Sequence, residues 1–149
     1  MPQSLAQLYV HLVFSTRGRA RLIPAELQPR LHAYLAATLN ALDCPAIKAG
    51  GMPDHIHLLF RLSRKICLSD AVKAAKVESS KWMKTEGGVR DFAWQAGYGA
   101  FSVSASDAGE VTDYICNQPH HHHQRSFQDE FRRLLQRYQL EYDEAYVWD

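Results

Sequence analysis

Hydrophobic residues recur along the chain at two spacings, either every second residue or every third to fourth. Residues 8–14 alternate with a period of two, which predicts a strand. Leucines at helical spacing follow Pro24, a residue that suits the first turn of a helix, and Asp43-Cys44-Pro45 ends their pattern. The leucines of this predicted helix are Leu27, Leu31, Leu35, Leu39 and Leu42.

A hairpin and a second helix come next. Residues 46–49 and 55–62 predict two strands joined by a turn at 50–54, which contains two glycines and a proline. The second helix is expected to have Ser69 as its N-cap and to end at Gly87-Gly88. Its predicted inner stripe comprises Val72, Ala75, Ser79, Trp82 and Met83, and its outer stripe comprises Lys73, Lys76, Ser80 and Lys84.

The rest of the chain predicts one strand and two helices. Residues 92–103 mix aromatic residues with glycines and predict the strand. A third helix is expected from Asp107, with Glu110 completing a capping pair, to Pro119. The last helix starts at Ser126, with Asp129 three residues further on, and its predicted buried residues are Phe127, Phe131, Leu134, Leu135 and Tyr138.

This order of elements predicts an α+β fold of the ferredoxin-like (RRM-like) βαββαβ class. Its antiparallel sheet would carry helices on one face, with extra helices at the C-terminus. The other face would then be free to hold a site or another chain. The length of 149 residues predicts a single domain over residues 1–149.

Composition and charge narrow the class of protein. Hydrophobic residues make up 46% and charged residues 22%, which is typical of a globular chain and not of a disordered one. The net charge of +1 hides an asymmetry, because residues 1–90 carry 13 basic and 6 acidic residues, whereas residues 91–149 carry 4 and 10. This split suits a surface that binds a polyanion, but a solvated basic surface would look the same.

The sequence also predicts a cytoplasmic protein. It contains no apolar run long enough to cross a membrane and no pattern of a secretory signal peptide. Its three cysteines are widely spaced and form no paired metal-ligand motif, which favours reduced thiols.

Two histidines form the first candidate site. His55 and His57 flank Ile56 in a predicted strand, so the period of two places both imidazoles on one face. Imidazole is a common ligand of divalent metals, and two histidines with one oxygen ligand leave positions open for a substrate oxygen. A His-x-His pair also occurs as ordinary surface or core histidines.

A tyrosine and a glutamine form the second candidate site. Tyr114 and Gln118 are four residues apart near the end of the predicted third helix, so they share a face. A tyrosine can form a covalent phosphoester, and a nearby cation can polarise the scissile phosphate. Val111 and Ile115 lie on the same helical side, so Tyr114 can instead be a core residue.

The order of the motifs along the chain carries a resemblance to a known family. Residues 54–59, Asp-His-Ile-His-Leu-Leu, are followed by the segment 94–98 and then by Tyr114-Ile115-x-Asn117-Gln118, histidines and Ser126-Phe127-x-x-Glu130. This pattern resembles the HUH-type single-tyrosine transposases of small insertion sequences, the IS200-like family. The resemblance extends from the Tyr9-x-His11 strand to Tyr138.

The resemblance implies a function for this chain. It implies a DNA transposase in which Tyr114 attacks single-stranded DNA and forms a 5′-phosphotyrosine. It further implies a divalent metal ion, Mg²⁺ or Mn²⁺, bound by His55, His57 and Gln118. Members of the family act as homodimers on DNA hairpins at the ends of the element, so we expect both features here. The alternatives are a non-catalytic or domesticated nucleic-acid-binding module on the same fold, and a replication initiator or relaxase with the same histidine pair.

Other residues are candidates for contacts with DNA. The basic candidates are Arg17, Arg19 and Arg21 after the first strand, and Lys73, Lys76 and Lys84 on the second helix. Three aromatic residues, Trp94, Tyr98 and Phe101, can either stack on unpaired bases or be buried. The run His120–His123 is expected in an extended surface loop because Pro119 precedes it. A contact of this run with DNA or with the active site is the alternative.

Overall fold

The computed structural model describes residues 2–122 and 125–149, which form a four-stranded antiparallel sheet with helices on both faces. The strands are β1 (Tyr9–Ser15), β2 (Ala46–Met52), β3 (His55–Arg61) and β4 (Gly99–Val103), and their order in the sheet is β2-β3-β1-β4. The helices are α1 (Gln28–Ala41), α2 (Leu68–Lys84), α3 (Ala108–Cys116), α4 (Gln118–His121) and α5 (Phe127–Arg137). Short 3₁₀ turns occupy Arg17–Arg19 and Ala105–Asp107. The strand order and pairing confirm the predicted ferredoxin-like arrangement.

One face of the sheet forms the main hydrophobic core with α1 and α2. Successive side chains of a strand point to opposite faces, so every second residue of β1 and β3 enters this core. Leu31, Leu35 and Leu39 of α1 are buried in this core, as their spacing predicted. The core residues from β1 and β3 are Leu12, Phe14, Ile56, Leu58 and Phe60.

The second face of the sheet is covered by α3 and α5, whereas the sequence suggested a free face. Ile115 of α3 packs on Leu59 and Val103. Three buried residues of α5, Phe127, Phe131 and Leu135, pack on Val13 and Phe101. These helices have apolar stripes of their own, and the sheet is the surface that buries them.

Two of the predicted boundaries in the sheet are wrong. Strand β2 continues through Gly50 and Gly51 to Met52, so only Pro53 and Asp54 separate it from β3. Residues 92–98 are not part of β4, which begins at Gly99. Phe92 and Trp94 instead pack edge to face under the sheet, with 4.7 Å between ring centroids, because their rings fill the main core.

The helix boundaries also differ from the prediction in places. The residue before α2 is Cys67, not Ser69, and no side chain caps this helix. Helix α3 ends at Cys116 and Asp107 makes no capping hydrogen bond. The cap of α5 is confirmed, because Ser126 Oγ accepts a hydrogen bond from the backbone N–H of Asp129.

Two further findings concern the cysteines and the lengths of the helices. Cys44, Cys67 and Cys116 are all unpaired. Within residues 2–122 and 125–149, none of the helices has the length and apolar character needed to span a membrane.

Candidate active site

Four segments bring polar side chains together between the sheet and helices α3 and α5. Strand β3 supplies His55 and His57, whose alternation places both on the second face of the sheet. Gln118 is the first residue of α4, His122 follows that helix, and Glu130 lies one turn into α5. We call these five residues the histidine cluster. His55, His57, Gln118 and Glu130 are buried, and the side chain of His122 is 9% exposed.

Glu130 is the centre of the histidine cluster, although the sequence assigned it no role. Its Oε1 lies 2.9 Å from His57 Nε2, 3.3 Å from His122 Nε2 and 3.5 Å from His55 Nε2. Its Oε2 accepts a hydrogen bond of 3.0 Å from Gln118 Nε2. A buried carboxylate needs such partners, because an isolated charge away from water is very costly.

One sequence signal pointed to Glu130. It lies three residues after Phe127 and next to Phe131, so it is an acidic residue inside the apolar stripe of α5. A charged residue is seldom fully buried unless it is paired. The position of Glu130 in that stripe therefore indicates a buried polar partner on the facing sheet.

Tyr114 reaches the same cluster from α3. Its hydroxyl donates a hydrogen bond to Glu130 Oε2. Its ring packs beside Val111 on the apolar patch under α3, at 5.8 Å from the centroid of the His57 ring. The Tyr114 ring also stacks on the His121 ring, with 4.7 Å between their centroids. Tyr114 is therefore partly a packing residue, but its hydroxyl lies in the polar site.

Each histidine of β3 is held by a contact at its ring nitrogen Nδ1. His55 Nδ1 lies 2.7 Å from Asp54 Oδ1, and His57 Nδ1 lies 2.8 Å from His11 Nε2. The ring of Phe127 stacks on His55 at 4.4 Å. These contacts fix the rings with both Nε2 atoms directed into the cluster, which is the arrangement that metal-ligating histidines usually have.

Burial and neighbouring charges determine the protonation of the cluster. Burial alone would raise the pKa of Glu130, but the imidazoles of His57, His122 and His55 outweigh it and hold that pKa far below its ordinary value. Burial, and then the charge of Glu130, raise the pKa of the Tyr114 hydroxyl. Burial, together with His57, lowers the pKa of His11 to about 3. At neutral pH the carboxylate is charged, the phenol is protonated and His11 is neutral.

The donor atoms of the histidine cluster are of the kinds that divalent metals bind. The ligand atoms of His55, His122 and Glu130 all lie within 4.8 Å of one another. Gln118 Oε1 lies 3.0 Å from the Nε2 atoms of both His55 and His122. His57 is not a member of this group of three, but its Nε2 lies 2.9 Å from Glu130 Oε1. The predicted ligands His55, His57 and Gln118 thus lie in one cluster, which also contains two residues that were not predicted.

The histidine run does not have the expected extended conformation. His120 and His121 belong to α4, because Pro119 occupies an early helical position where its missing N–H is tolerated. His122 points into the cluster, and its spacing of four from Gln118 is the signal that links them. His123 lies outside the described residues.

The basic residues predicted to bind DNA lie in two places. Arg17 and Arg19 line a cavity of about 460 Å³ with Trp148, and Arg21 lines another of about 420 Å³ with His122 and Arg125. The second cavity adjoins the histidine cluster. The three lysines belong to α2, which packs on the opposite face of the sheet.

Lys76 has a structural partner for each of its ammonium hydrogens. Its Nζ donates to the carbonyls of Gln95, Ala96 and Gly97 at 2.6 to 3.2 Å. Burial lowers its pKa to about 8. Lys73 and Lys84 are exposed. Among the aromatic candidates, Trp94 and Phe101 are buried and Tyr98 is exposed.

A protein-family model and one named protein each match most of this chain. The model of the family "Transposase IS200 like" matches residues 4–118. The ISDra2 transposase TnpA of Deinococcus radiodurans is 28% identical over 123 residues, which cover 75% of this chain and 84% of that protein.

Two solved structures share the fold. One is described as a transposase from Deinococcus radiodurans, with a TM-score of 0.62 and 24% identity over 79% of this chain and 98% of that one. The other is a REP-associated tyrosine transposase bound to a REP hairpin, with a TM-score of 0.59 and 16% identity over 82% of this chain and 73% of that one.

Proposed function

Because this chain belongs to the IS200-like transposase family, we propose that it cleaves and rejoins single-stranded DNA through a covalent bond between Tyr114 and a 5′-phosphate. One observation carries this proposal. The hydroxyl of Tyr114 lies in the same buried cluster as His55 and His57, although 57 residues separate Tyr114 from His57 in sequence. A non-catalytic binding module has no need of this convergence, which therefore favours the enzyme.

The proposed metal ligands are His55, His57 and Gln118, and the proposed ion is Mg²⁺ or Mn²⁺. The chemistry of the donors fits such an ion. His55 Nδ1 is held by Asp54 Oδ1, and His55 Nε2 lies 3.0 Å from Gln118 Oε1. Imidazole nitrogens and amide oxygens are both ligands of divalent metals. When bound, the ion would draw negative charge from the oxygens of the scissile phosphate.

Tyr114 is the proposed nucleophile. Its oxygen forms a bond to phosphorus as the bond from phosphorus to the 3′ oxygen breaks, while the hydrogen bond to Glu130 Oε2 orients the hydroxyl and the phenolic proton passes to solvent. The products are a 5′-phosphotyrosine and a 3′-hydroxyl, which takes its proton from solvent. Attack by another 3′-hydroxyl on the phosphotyrosine reverses the step and rejoins DNA at a new place.

The proposed substrate is a single strand folded into a hairpin. One solved structure with this fold is a transposase bound to a DNA hairpin, and that support is by analogy. On this chain, the arginines Arg17, Arg19 and Arg21 form a basic turn beside the two cavities described above. We propose that they bind phosphates of the strand that enters the site. Lys73 and Lys84 lie across the sheet and would contact a more distant part of the hairpin.

A homodimer also remains a proposal. In this structure one chain supplies both Tyr114 and the histidines, so the site can form within a single subunit. Mixing the Tyr114→Phe and His57→Ala variants tests whether one subunit or two subunits build each site, because each variant lacks a different half of the site. If the two halves of a site come from one subunit, the mixture stays inactive, whereas a site shared between subunits would regain cleavage. Light scattering gives the number of subunits.

The test of the function is a covalent adduct. Wild-type protein incubated with labelled single-stranded hairpin DNA and Mn²⁺ is expected to give a protein–DNA species that survives denaturant. Tyr114→Phe should give none, although it still binds the hairpin. The control is Tyr138→Phe, which removes a hydroxyl that donates to the carbonyl of Ser102 outside the cluster. An adduct of full yield in Tyr114→Phe contradicts the proposed nucleophile.

A further inference from the structure

A cavity of about 270 Å³ lies at the edge of the sheet and has no part in the reaction proposed above. It is lined by residues of α1, of β2 and of the junction between α3 and α4. Strand β2 is an outer strand, so this cavity is at one side of the sheet. We call it the His32 cavity, because His32 of α1 lines it together with Lys48 of β2.

His32 brings an unused hydrogen-bonding atom to this cavity. Among the buried side-chain nitrogen and oxygen atoms of residues 2–122 and 125–149, only His32 Nε2 has no hydrogen-bond partner. Such atoms are few in native structures, because a buried polar atom without a partner is costly. A neutral imidazole can carry its proton on Nε2 and donate it to an acceptor in the cavity.

The electrostatics of the His32 cavity favour an anion. The ammonium group of Lys48 acts on His32, because burial, and then the charge of Lys48, lower the pKa of that imidazole to about 4. The first turn of α1 also lines the cavity, and the N-terminus of a helix is the positive end of its dipole. None of the described residues that line this cavity is acidic. By contrast, carboxylates line the cavity at Arg21 and the cavity beside Tyr114.

The position of this cavity points to DNA as the source of the anion. Gly51 of β2 lines it, and the next residue, Met52, lines the cavity at Arg21 that adjoins the histidine cluster. Ile115 and Pro119 line it as well, and each directly follows a residue of the candidate active site in sequence. The two cavities are therefore neighbours, and DNA bound at Arg21 can extend into this one.

We propose that the His32 cavity binds a phosphate of the DNA hairpin, with Lys48 as the counter-charge and His32 Nε2 as a hydrogen-bond donor. The inference rests on the proposed function only in taking DNA as the source of the phosphate. Lysine is a common contact of phosphate oxygens, and phosphate contacts fix the position of a protein on DNA without reading its sequence. Both residues would thus anchor the hairpin beside α3, the helix that carries Tyr114.

Histidine-selective ¹⁵N nuclear magnetic resonance tests the site in the wild-type protein without added metal. The signal of His32 is identified by its loss in His32→Phe. Hairpin DNA is expected to shift the Nε2 signal of His32 to that of a protonated, hydrogen-bonded nitrogen, and inorganic phosphate should give the same change because it offers the same oxygens. A change with inorganic phosphate and none with DNA would mean a site for small anions only and would overturn the inference. The absence of a change with either ligand would overturn it as well.

The salt dependence of hairpin binding tests Lys48. Each phosphate that a basic residue neutralises contributes roughly 0.9 to the slope of log affinity against log salt concentration, so Lys48→Met should reduce this slope by roughly 0.9. His32→Phe should weaken binding about tenfold with little change in melting temperature, because it removes a donor that has no partner within the protein. The control, Lys65→Met, changes an exposed lysine outside the cavity and should leave the slope unchanged. A slope of wild-type size in Lys48→Met would overturn the inference.

Failure of this inference and failure of the proposed function give different results. If the covalent adduct forms normally but DNA leaves the His32 signal unchanged, the cavity does not bind the hairpin and the proposed function stands. If hairpin binding depends on Lys48 as expected but no adduct forms, the phosphate site stands and the proposed nucleophile is contradicted.

Discussion

Helix α3 packs so closely against strand β2 at Gly50 that a side chain at this position should displace the helix. A Cβ at Gly50 would lie 2.7 Å from Ile115 Cγ2 and 2.8 Å from the backbone oxygen of Ile115. Contacts below 3.0 Å are essentially never seen for a Cβ, and a backbone oxygen in a helix cannot rotate away. Gly50→Ala must therefore push α3 off strand β2. This helix carries Tyr114, so the displacement reaches the proposed nucleophile.

The expected size of the effect follows from the overpacking of a buried contact. Such changes cost about 1–3 kcal/mol. For a chain of this length, each kcal/mol lowers the melting temperature by roughly 2–4 °C, so we expect a fall of about 2–12 °C. A displacement of about 1 Å at a reacting group can reduce the rate about 100-fold. Cleavage should therefore fall more than the melting temperature alone would suggest.

A matched glycine in α3 itself provides the control. A Cβ at Gly109 has no atom within 4 Å, so Gly109→Ala should stabilise the helix by about 0.5–1 kcal/mol and leave cleavage unchanged. The measurements are thermal melting and the rate of adduct formation with hairpin DNA. If Gly50→Ala melts and cleaves like the wild type, α3 does not lie on β2 as described.

Three further predictions concern stability. Ser126→Ala removes the cap of α5, the bond from the Asp129 N–H, and should cost about 1 kcal/mol in denaturant unfolding; no loss would mean that the cap does not hold this helix. Burial holds the pKa of His32 at about 4, below its unfolded value of 6.5, so stability is complete above pH 6.5 and falls as the pH drops towards 4. His32→Gln should lose about 1–2 kcal/mol less than the wild type between pH 7.5 and 4.5, and parallel pH curves would exclude this role. Lys76→Met leaves three backbone carbonyls without their donor and should cost about 1–3 kcal/mol, whereas the exposed Lys73→Met should stay within about 0.5 kcal/mol. Equal melting temperatures for these two lysine variants would contradict the bonds of Lys76.

The parts of the fold that the sequence predicts well are those set by local periodicity. The leucines of α1 follow one buried stripe, and the alternation in β3 places His55 and His57 on one face. Both patterns depend only on the geometry of the element itself. The pairing of β3 with β1 and β2 then follows from the usual order of a ferredoxin-like sheet.

The missed features depend on contacts between distant segments. Residues 92–94 look like a strand because they are aromatic, but Trp94 is placed by packing on Phe14 and by its bond to Ser79. Gly50 and Gly51 look like a turn, yet β2 needs Gly50 so that α3 can approach. These demands come from tertiary packing, which local propensity does not contain.

The same reason explains the central position of Glu130. Its place in an apolar stripe indicates a buried partner, but the partner's identity depends on how α5 crosses the sheet. The resemblance to the transposase family identified Tyr114 and the histidine pair and left His122 and Glu130 without a role. In the structure, Tyr114 and His57 each contact Glu130, and His55 and His122 each contact Gln118.

In the proposed reaction, Tyr114 becomes covalently joined to the 5′ side of a DNA break. The most direct measurement is mass spectrometry of peptides from the denatured adduct, formed with hairpin DNA that carries different labels on the two sides of the cleavage site. We expect one modified peptide, with the DNA attached at Tyr114 through a 5′-phosphate, and a free 3′-hydroxyl on the other fragment. Attachment to any other residue, a 3′-phosphate linkage, or cleavage without an adduct would contradict it.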